Sequence, residues 1–418
     1  MFGRAHATLR AVAASPEIAI IGGGLVGRLI GWQLAHSGRR VVLYERGDAA
    51  GSQAAAWVAA GMLAPLAEAA LSEALIAELG MESLELWPTI LAKLPEPVFF
   101  QRHGTLVIWH PADRTQAQLF EQGMRAHLSA DLQQHGIIKL QGAAMQATEP
   151  ALGARFSQAL LLPLEGQLDN RQLLTALAAG LAQHQAKLHW GTTIDDRALP
   201  SADLVIDCRG LGAQASWPAL RGVRGEVIRL HAPGIGLSRP MRLLHPRYPL
   251  YIAPKENDVY VIGATEIESE DQSAVSVRSA LELLSAAFSV HPAFGEARIL
   301  EFNTQCRPTL PDHLPAITWD GARILRINGL SRHGYLIAPA ICQQALAMIE
   351  RLLDGIISNA DTYNLLPSAS LADALAAFGA HPPFAAAVNG VFVAQADYFQ
   401  HLLKDGDCID VVQPVMGG

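Results

Sequence analysis

A strand that runs into a GxGxxG turn, a middle region in which helices and strands alternate, and a strand–strand–helix–strand–strand ending together predict an α/β chain. The expected architecture is a Rossmann-like dinucleotide-binding domain interleaved with an antiparallel-sheet substrate domain, closed by a C-terminal β-grasp unit. With 418 residues there is room for two or three domains and a large core. Half the residues are hydrophobic and 17% are charged, the balance of an ordinary globular protein. The formal net charge of −8 argues against nucleic acid as a partner. Cys208, Cys306, Cys342 and Cys408 are scattered with no CxxC spacing. Neither a disulfide framework nor a metal cluster is written there, and a reducing, cytoplasmic setting is expected.

The first fifteen residues hold Arg4 and Arg10 but no acids and no apolar core. They read as a disordered tail rather than a secretory signal. Ile18 to Ile21 is then a short apolar strand leading into Gly22-Gly23-Gly24-Leu25-Val26-Gly27, a helix to about His36, and a second strand from Val41 to Tyr44. In this βαβ unit Gly22 permits the tight turn, Gly24 lets a pyrophosphate approach the backbone, and Gly27 lets the helix pack closely on the sheet. The phosphate charge would lie at the helix N-terminus, where free amides and the helix dipole favour an anion. Glu45 follows, 23 residues beyond Gly22 and placed to accept ribose hydroxyls, with Arg46 beside it.

An alanine-rich stretch from Ala54 to Ala67 comes next, containing Ala60-Gly61-Met62. Its small side chains suit a backbone lying close to a flat ring, and suit a packed helix equally well. It is the longest apolar run, but Gly61 and Pro65 interrupt it and it is shorter than the ~18 residues of a membrane span, so no membrane association is expected. Residues 80–155 cross into the substrate domain. Leu173 to Gln183 reads as a helix, Lys187 to Trp190 as a strand, and Ala202 to Gly212 as a strand of the first domain ending in glycines. Residues 222–300 supply the antiparallel substrate sheet and a helix from Val277 to Val290, and Arg323 to Ile327 is the last strand of the nucleotide domain. Pro339 is expected to open the final long helix, where its missing N–H costs nothing. Gly355 is expected to end it.

Residues 356–418 read as a separate unit. Ile356 to Ser358 and Thr362 to Leu366 are short apolar runs, and Ser370 with Asp373 marks a helix start. Asn389-Gly390 between two apolar runs is a strong hairpin signal, and Asp405-Gly406-Asp407 launches a last strand that runs into Gly417-Gly418. Two terminal glycines carry no Cβ, so such a tail can thread a narrow channel and present its carboxylate there. Six aspartates against one lysine make the unit acidic.

The segments GSQAAAWVAAGMLAP, GVRGEVIRL, YIAP, VIGATE, CRPTLPDHLP and NGLSRHGYLIAPA resemble, in family order over about residues 16–355, the D-amino-acid-oxidase superfamily, and within it the glycine oxidases of the ThiO type. In AAAVNG, LLKDGD and VVQPVMGG the closing unit resembles the ThiS sulfur carriers of thiamine thiazole synthesis, with Met416 where many carriers have a third glycine. The first resemblance implies FAD as cofactor and oxidation of glycine or another small amino acid. It implies that Arg307 binds the substrate carboxylate, that Tyr251 is a second donor to it, that Arg332 lies near substrate or flavin, and that the backbone of Gly334, Tyr335 and Leu336 lies close to the ring. It places Glu266 in the pocket with its role open; His333 reads as structural rather than as a base. The second resemblance implies a thiocarboxylate on Gly418 and, as partners, a ThiF-like adenylating enzyme and a ThiG-like thiazole synthase. A homo-oligomer is expected.

Overall fold

The computed structural model describes residues 16–246, 250–358, 370–372, 375, 385–388, 391–403 and 409–412. The chain forms two units, divided between Leu346 and Ala347. The first begins with β1 (Glu17–Ile21), α1 (Leu25–His36) and β2 (Arg40–Glu45). β1 is an unbroken apolar run because it is covered on both faces: Ile18 to Ile21 are all buried. It pairs in parallel with β2 on one side and with Leu204–Asp207 on the other. Ile324–Asn328 and Lys187–Trp190 extend this sheet in parallel, and Ala316–Trp319 adds an antiparallel edge that is not among the expected strands. The chain leaves β1 toward β2 and returns on the opposite flank, so a crevice opens beyond the C-terminal ends of β1 and Leu204–Asp207.

An eight-stranded sheet forms the second layer. Its order is Arg298–Thr309, Arg221–His231, Val259–Gly263, Leu250–Pro254, Met241–Leu244, Thr105–Trp109, Gln158–Leu162 and Ile138–Gln141. The expectation of an antiparallel sheet needs one correction: Met241–Leu244 pairs with Thr105–Trp109 in parallel. A parallel pair needs a long connection. Here that connection is the excursion of the chain through the nucleotide-binding domain between the two strands, and so the interleaving itself makes the sheet mixed. The helix Val277–Val290 covers one face, burying Leu283, Ala287 and Val290 in a cluster with Ile228, Ile252 and Ile262.

The final long helix corrects two further expectations. It runs Gly334–Ser358, so Pro339 lies inside it and Gly355 does not end it. A proline five residues into a helix leaves the carbonyl four residues earlier without its amide. That carbonyl belongs to Tyr335, and the Trp87 indole Nε1 donates to it at 3.1 Å, while Ser83 Oγ accepts the neighbouring Ala340 amide at 3.1 Å. Both come from the helix Ala74–Leu91, which thus repairs the breach. Among the described residues the segment Ser331–Leu353, rather than the stretch after Ala54, is the one long and apolar enough to cross a membrane by length and composition. Its residues Tyr335 to Cys342 are all buried in the protein.

In the second unit Ala385–Val388 pairs antiparallel with Val391–Val393 and with Ile409–Val412. Leu371, Leu375, Ala386, Val388, Val393 and Tyr398 make a small core, and the Tyr398 hydroxyl accepts the Ala386 amide at 3.0 Å. The runs Thr362 to Leu366, the turns Asn389-Gly390 and Asp405-Gly406-Asp407, the tail 1–15 and Gly417-Gly418 lie outside the described residues; Ile356 to Ser358 belongs to the long helix.

Candidate active site

The crevice at the end of β1 opens into a cavity of about 790 Å³, in the upper part of the range for small-molecule sites. Gly22, Gly24, Glu45, Arg46, Ala60, Gly61 and Met62 line one part of it, and Tyr251, Arg307, Arg332, Gly334, Tyr335 and Leu336 another. Of the predicted site residues described, Gly27 alone is not on the wall. It has the packing role expected of it, since a Cβ there would collide with the Gly22 carbonyl.

Gly22 takes φ +101°, and a Cβ on it would stand 2.6 Å from the Cys208 carbonyl oxygen. Gly24 differs: a Cβ on it would meet nothing nearer than the Ala54 methyl at 4.0 Å. No protein atom requires glycine there, so the space is kept for something else. Glu45 sits at the same end, accepting the Gly23 amide at 2.5 Å on Oε2 and the Gly47 amide at 2.7 Å on Oε1. Each oxygen retains a lone pair for a ribose hydroxyl. Gly61 pairs with Leu168, and the 334–336 backbone begins the long helix with its positive end at the cavity. Open space over Gly24, a free carboxylate acceptor on Glu45 and a helix N-terminus on the same cavity wall fit FAD.

Arg28 was not foreseen. Within α1 it is fully buried, with Nε donating to the Gly23 carbonyl at 2.6 Å and Nη1 to the carbonyls of Ala49 at 2.9 Å and Leu174 at 2.8 Å. It fixes the glycine turn from behind. Burial lowers its pKa, and Glu45 opposes this.

At the other end, Arg307 and Tyr251 come from neighbouring parts of the second sheet. The Arg307 Nη2 donates to the Thr265 carbonyl at 3.1 Å and Nη1 to that of Arg224 at 3.5 Å. Its guanidinium lies across Gly225, where any Cβ would collide with it. Among the described residues it has no carboxylate partner, so its charge is available to a ligand. Burial pushes the Tyr251 phenol up, against the opposing charges of Arg307 and Arg242, so it remains a neutral O–H donor. Behind them Arg224 and Glu226 form a buried pair, with Thr265 Oγ1 donating to Glu226 Oε2 at 3.0 Å. Despite burial, Ser279, Arg224 and Thr265 hold the Glu226 carboxyl below the usual range.

Arg332 is in a different state. Its Nε meets Glu68 Oε2 at 2.9 Å and its Nη1 meets Glu266 Oε1 at 3.2 Å. Glu68 also meets Arg242 at 3.1 Å and His333 Nε2 at 3.0 Å. Burial would raise the Glu68 carboxyl, but Arg242, His333 and Arg332 together hold it well below the usual range. Glu68 and Arg242 are not legible in the sequence, because nothing there marks an ion pair between residues 174 positions apart. His333 is buried and bonded to Glu68 and Ser72, in keeping with a structural histidine.

Residues 17–348 match the family described as FAD dependent oxidoreductase (DAO), and residues 356–418 match the ThiS family. The chain is 40% identical over 325 residues to the thiamine biosynthesis oxidoreductase ThiO of Rhizobium etli, covering 78% of this chain and 94% of that protein. It is 26% identical to the glycine oxidase of Geobacillus kaustophilus, covering 80% of this chain and 93% of the other. The crystal structure of that glycine oxidase aligns with a TM-score of 0.69 at 25% identity, over 81% of this chain and 95% of the other. The bifunctional ThiO/ThiG protein of Trichormus variabilis is 26% identical over 340 residues, 77% of this chain and 51% of that protein. The chain therefore belongs to the FAD-dependent oxidoreductases of the DAO family, with FAD as its cofactor and a ThiS-family domain at its C-terminal end.

Proposed function

We propose that the protein oxidises glycine to its imine, releasing hydrogen peroxide, and carries sulfur as a thiocarboxylate on Gly418 for thiazole formation. The observation that carries the first half is Arg307, a cavity guanidinium with no carboxylate partner among the described residues, beside the neutral Tyr251 phenol. A planar two-donor fork matches a carboxylate. FAD, where bound along the wall of Gly22, Gly24, Glu45 and the 334–336 backbone, would supply the two-electron acceptor that takes the substrate from amine to imine and passes the electrons on to O₂.

The chain's own residues hold the reactants. Arg307 and Tyr251 fix the carboxylate and so aim Cα across the cavity. The positive end of the helix from Gly334 would favour negative charge on a cofactor bound beside it. Arg224 and Glu226 keep the carbonyl acceptors of Arg307 in place. An amine bound neutral needs no side-chain base, which agrees with His333 being tied to Glu68.

The ThiS-family match over residues 356–418 and the Gly417-Gly418 ending support the second half, with a ThiF-like adenylating enzyme and a ThiG-like thiazole synthase as partners. The test is direct: purified protein should be yellow and release peroxide with glycine, with rates falling as the side chain grows. Incubation with an adenylating enzyme, ATP and a sulfur donor should raise the intact mass by one oxygen-to-sulfur exchange. Colourless protein, or yellow protein inert toward glycine, refutes the first half; an unchanged mass refutes the second.

A further inference from the structure

The two arginines that face the cavity differ in one respect that bears on substrate choice. Among the described residues Arg307 meets only backbone carbonyls, whereas Arg332 meets Glu266 at 3.2 and 3.5 Å and Glu68 at 2.9 Å. The two carboxylates on Arg332 are not equivalent. Glu68 is built into the wall, 14% exposed and shared with Arg242 and His333. Glu266 is 50% exposed, lines the cavity, and Arg332 is its ion-pair partner among the described residues.

Resting on the proposed oxidation of a small amino acid, we propose that Glu266 is a specificity-determining residue. Its carboxylate takes, on Arg332, the place that the second carboxylate of an acidic amino acid would occupy, so the site accepts monocarboxylic amines and refuses dicarboxylic ones. The Arg307 fork is bonded to the Thr265 carbonyl at 3.1 Å, and Glu266 is the next residue. The two cationic positions are therefore linked by one step of backbone and one glutamate side chain. A substrate anchored on Arg307 extends toward a position where the protein has supplied its own anion.

Charge makes the consequence definite. Arg242 and Arg332 are balanced by Glu68 and Glu266, and a second substrate carboxylate would have to displace Glu266 while meeting like charge. Removing the Glu266 charge leaves one positive charge in excess and frees Nη1 of Arg332 toward the cavity. A repulsive group that is also the plug of an attractive site discriminates twice.

The test uses the FAD-loaded full chain as Glu266→Gln and Glu266→Ala. Peroxide release is measured with glycine, iminodiacetate and D-aspartate, which carry the second carboxylate on the nitrogen side and the carbon side respectively. Binding of the unreactive dicarboxylate succinate is followed by its perturbation of the flavin absorbance. For a half-exposed charge at contact distance, the kcat/KM ratio of at least one diacid to glycine should rise about tenfold or more, and succinate should bind about tenfold tighter. Glu266→Asp should keep much of the discrimination. Loaded variants whose ratios and succinate affinity match the parent overturn the proposal, as does a Gln variant that loses glycine oxidation with no gain toward diacids, which would make Glu266 a ligand of the amine. A parent inert toward glycine would strike the proposed function instead; the succinate comparison would still decide the role of Glu266.

Discussion

Replacing Arg307 with methionine keeps an unbranched side chain over Gly225 and removes the guanidinium. In the parent, two of its N–H groups serve the carbonyls of Thr265 and Arg224, at 3.1 and 3.5 Å, and no carboxylate among the described residues competes for the rest. In the proposed function the substrate carboxylate is its ionic partner, in a site where the neighbouring donor, Tyr251, is neutral. Hydrogen bonds to a charged group are worth about 1.5–3 kcal/mol each, and loss of a two-donor fork leaves a carboxylate desolvated without compensation. A loss of about 3 kcal/mol corresponds to a fall in kcat/KM of about 10²-fold. Because the carboxylate is held in both the ground state and the transition state, most of the loss should appear in KM. The two backbone carbonyls lose weak bonds at the cavity edge, so the fold and the flavin should be retained. Steady-state peroxide release with glycine, normalised to flavin absorbance, measures the effect. A flavin-loaded variant whose kcat/KM stays within about threefold of the parent would refute the assignment of Arg307 as the anchor.

Three further outcomes are expected. Gly24→Val places a branched side chain in the space left over the glycine turn, where a Cβ now meets nothing closer than 4.0 Å, and should yield folded protein without flavin; a variant retaining full flavin absorbance shows that the pyrophosphate lies elsewhere. Burial pushes the Glu165 carboxyl up to about 7, so between the unfolded value near 4.5 and that pH the folded state holds the extra proton and stability falls as pH rises. Glu165→Gln should remove this loss, gaining about 3 kcal/mol on the parent between pH 5 and pH 8 in denaturant midpoints; parallel curves for parent and variant contradict it. Deleting Gly417-Gly418 should abolish the thiocarboxylate mass shift and leave glycine oxidation unchanged, because the oxidase cavity is built from residues before Ala347; loss of both activities in a folded, yellow protein would remove the idea of an independent carrier.

Sequence by itself determined what local backbone chemistry can specify. The apolar run Ile18 to Ile21, the glycines after it and Glu45 fix a βαβ turn within thirty residues, and the Asn389-Gly390 signal predicts a hairpin whose strands do pair. Resemblance added Arg307, Tyr251 and the 334–336 backbone, and these do line one cavity. The tertiary structure decided what depends on partners distant in sequence. Pro339 lies inside a helix because Trp87 and Ser83, about 250 residues away, satisfy the groups it leaves open. Arg28 is buried because three carbonyls from separate segments converge on it. The sheet is mixed because the chain leaves one domain and returns through the other. Whether an arginine is free for substrate is likewise decided by its neighbours: Arg307 and Arg332 are the same residue type a short distance apart in sequence, and only the fold gives one to backbone carbonyls and the other to Glu68 and Glu266. Propensity acts over a few residues, whereas charge compensation acts across space, and that is why the fold was legible in the sequence before the electrostatics of its site.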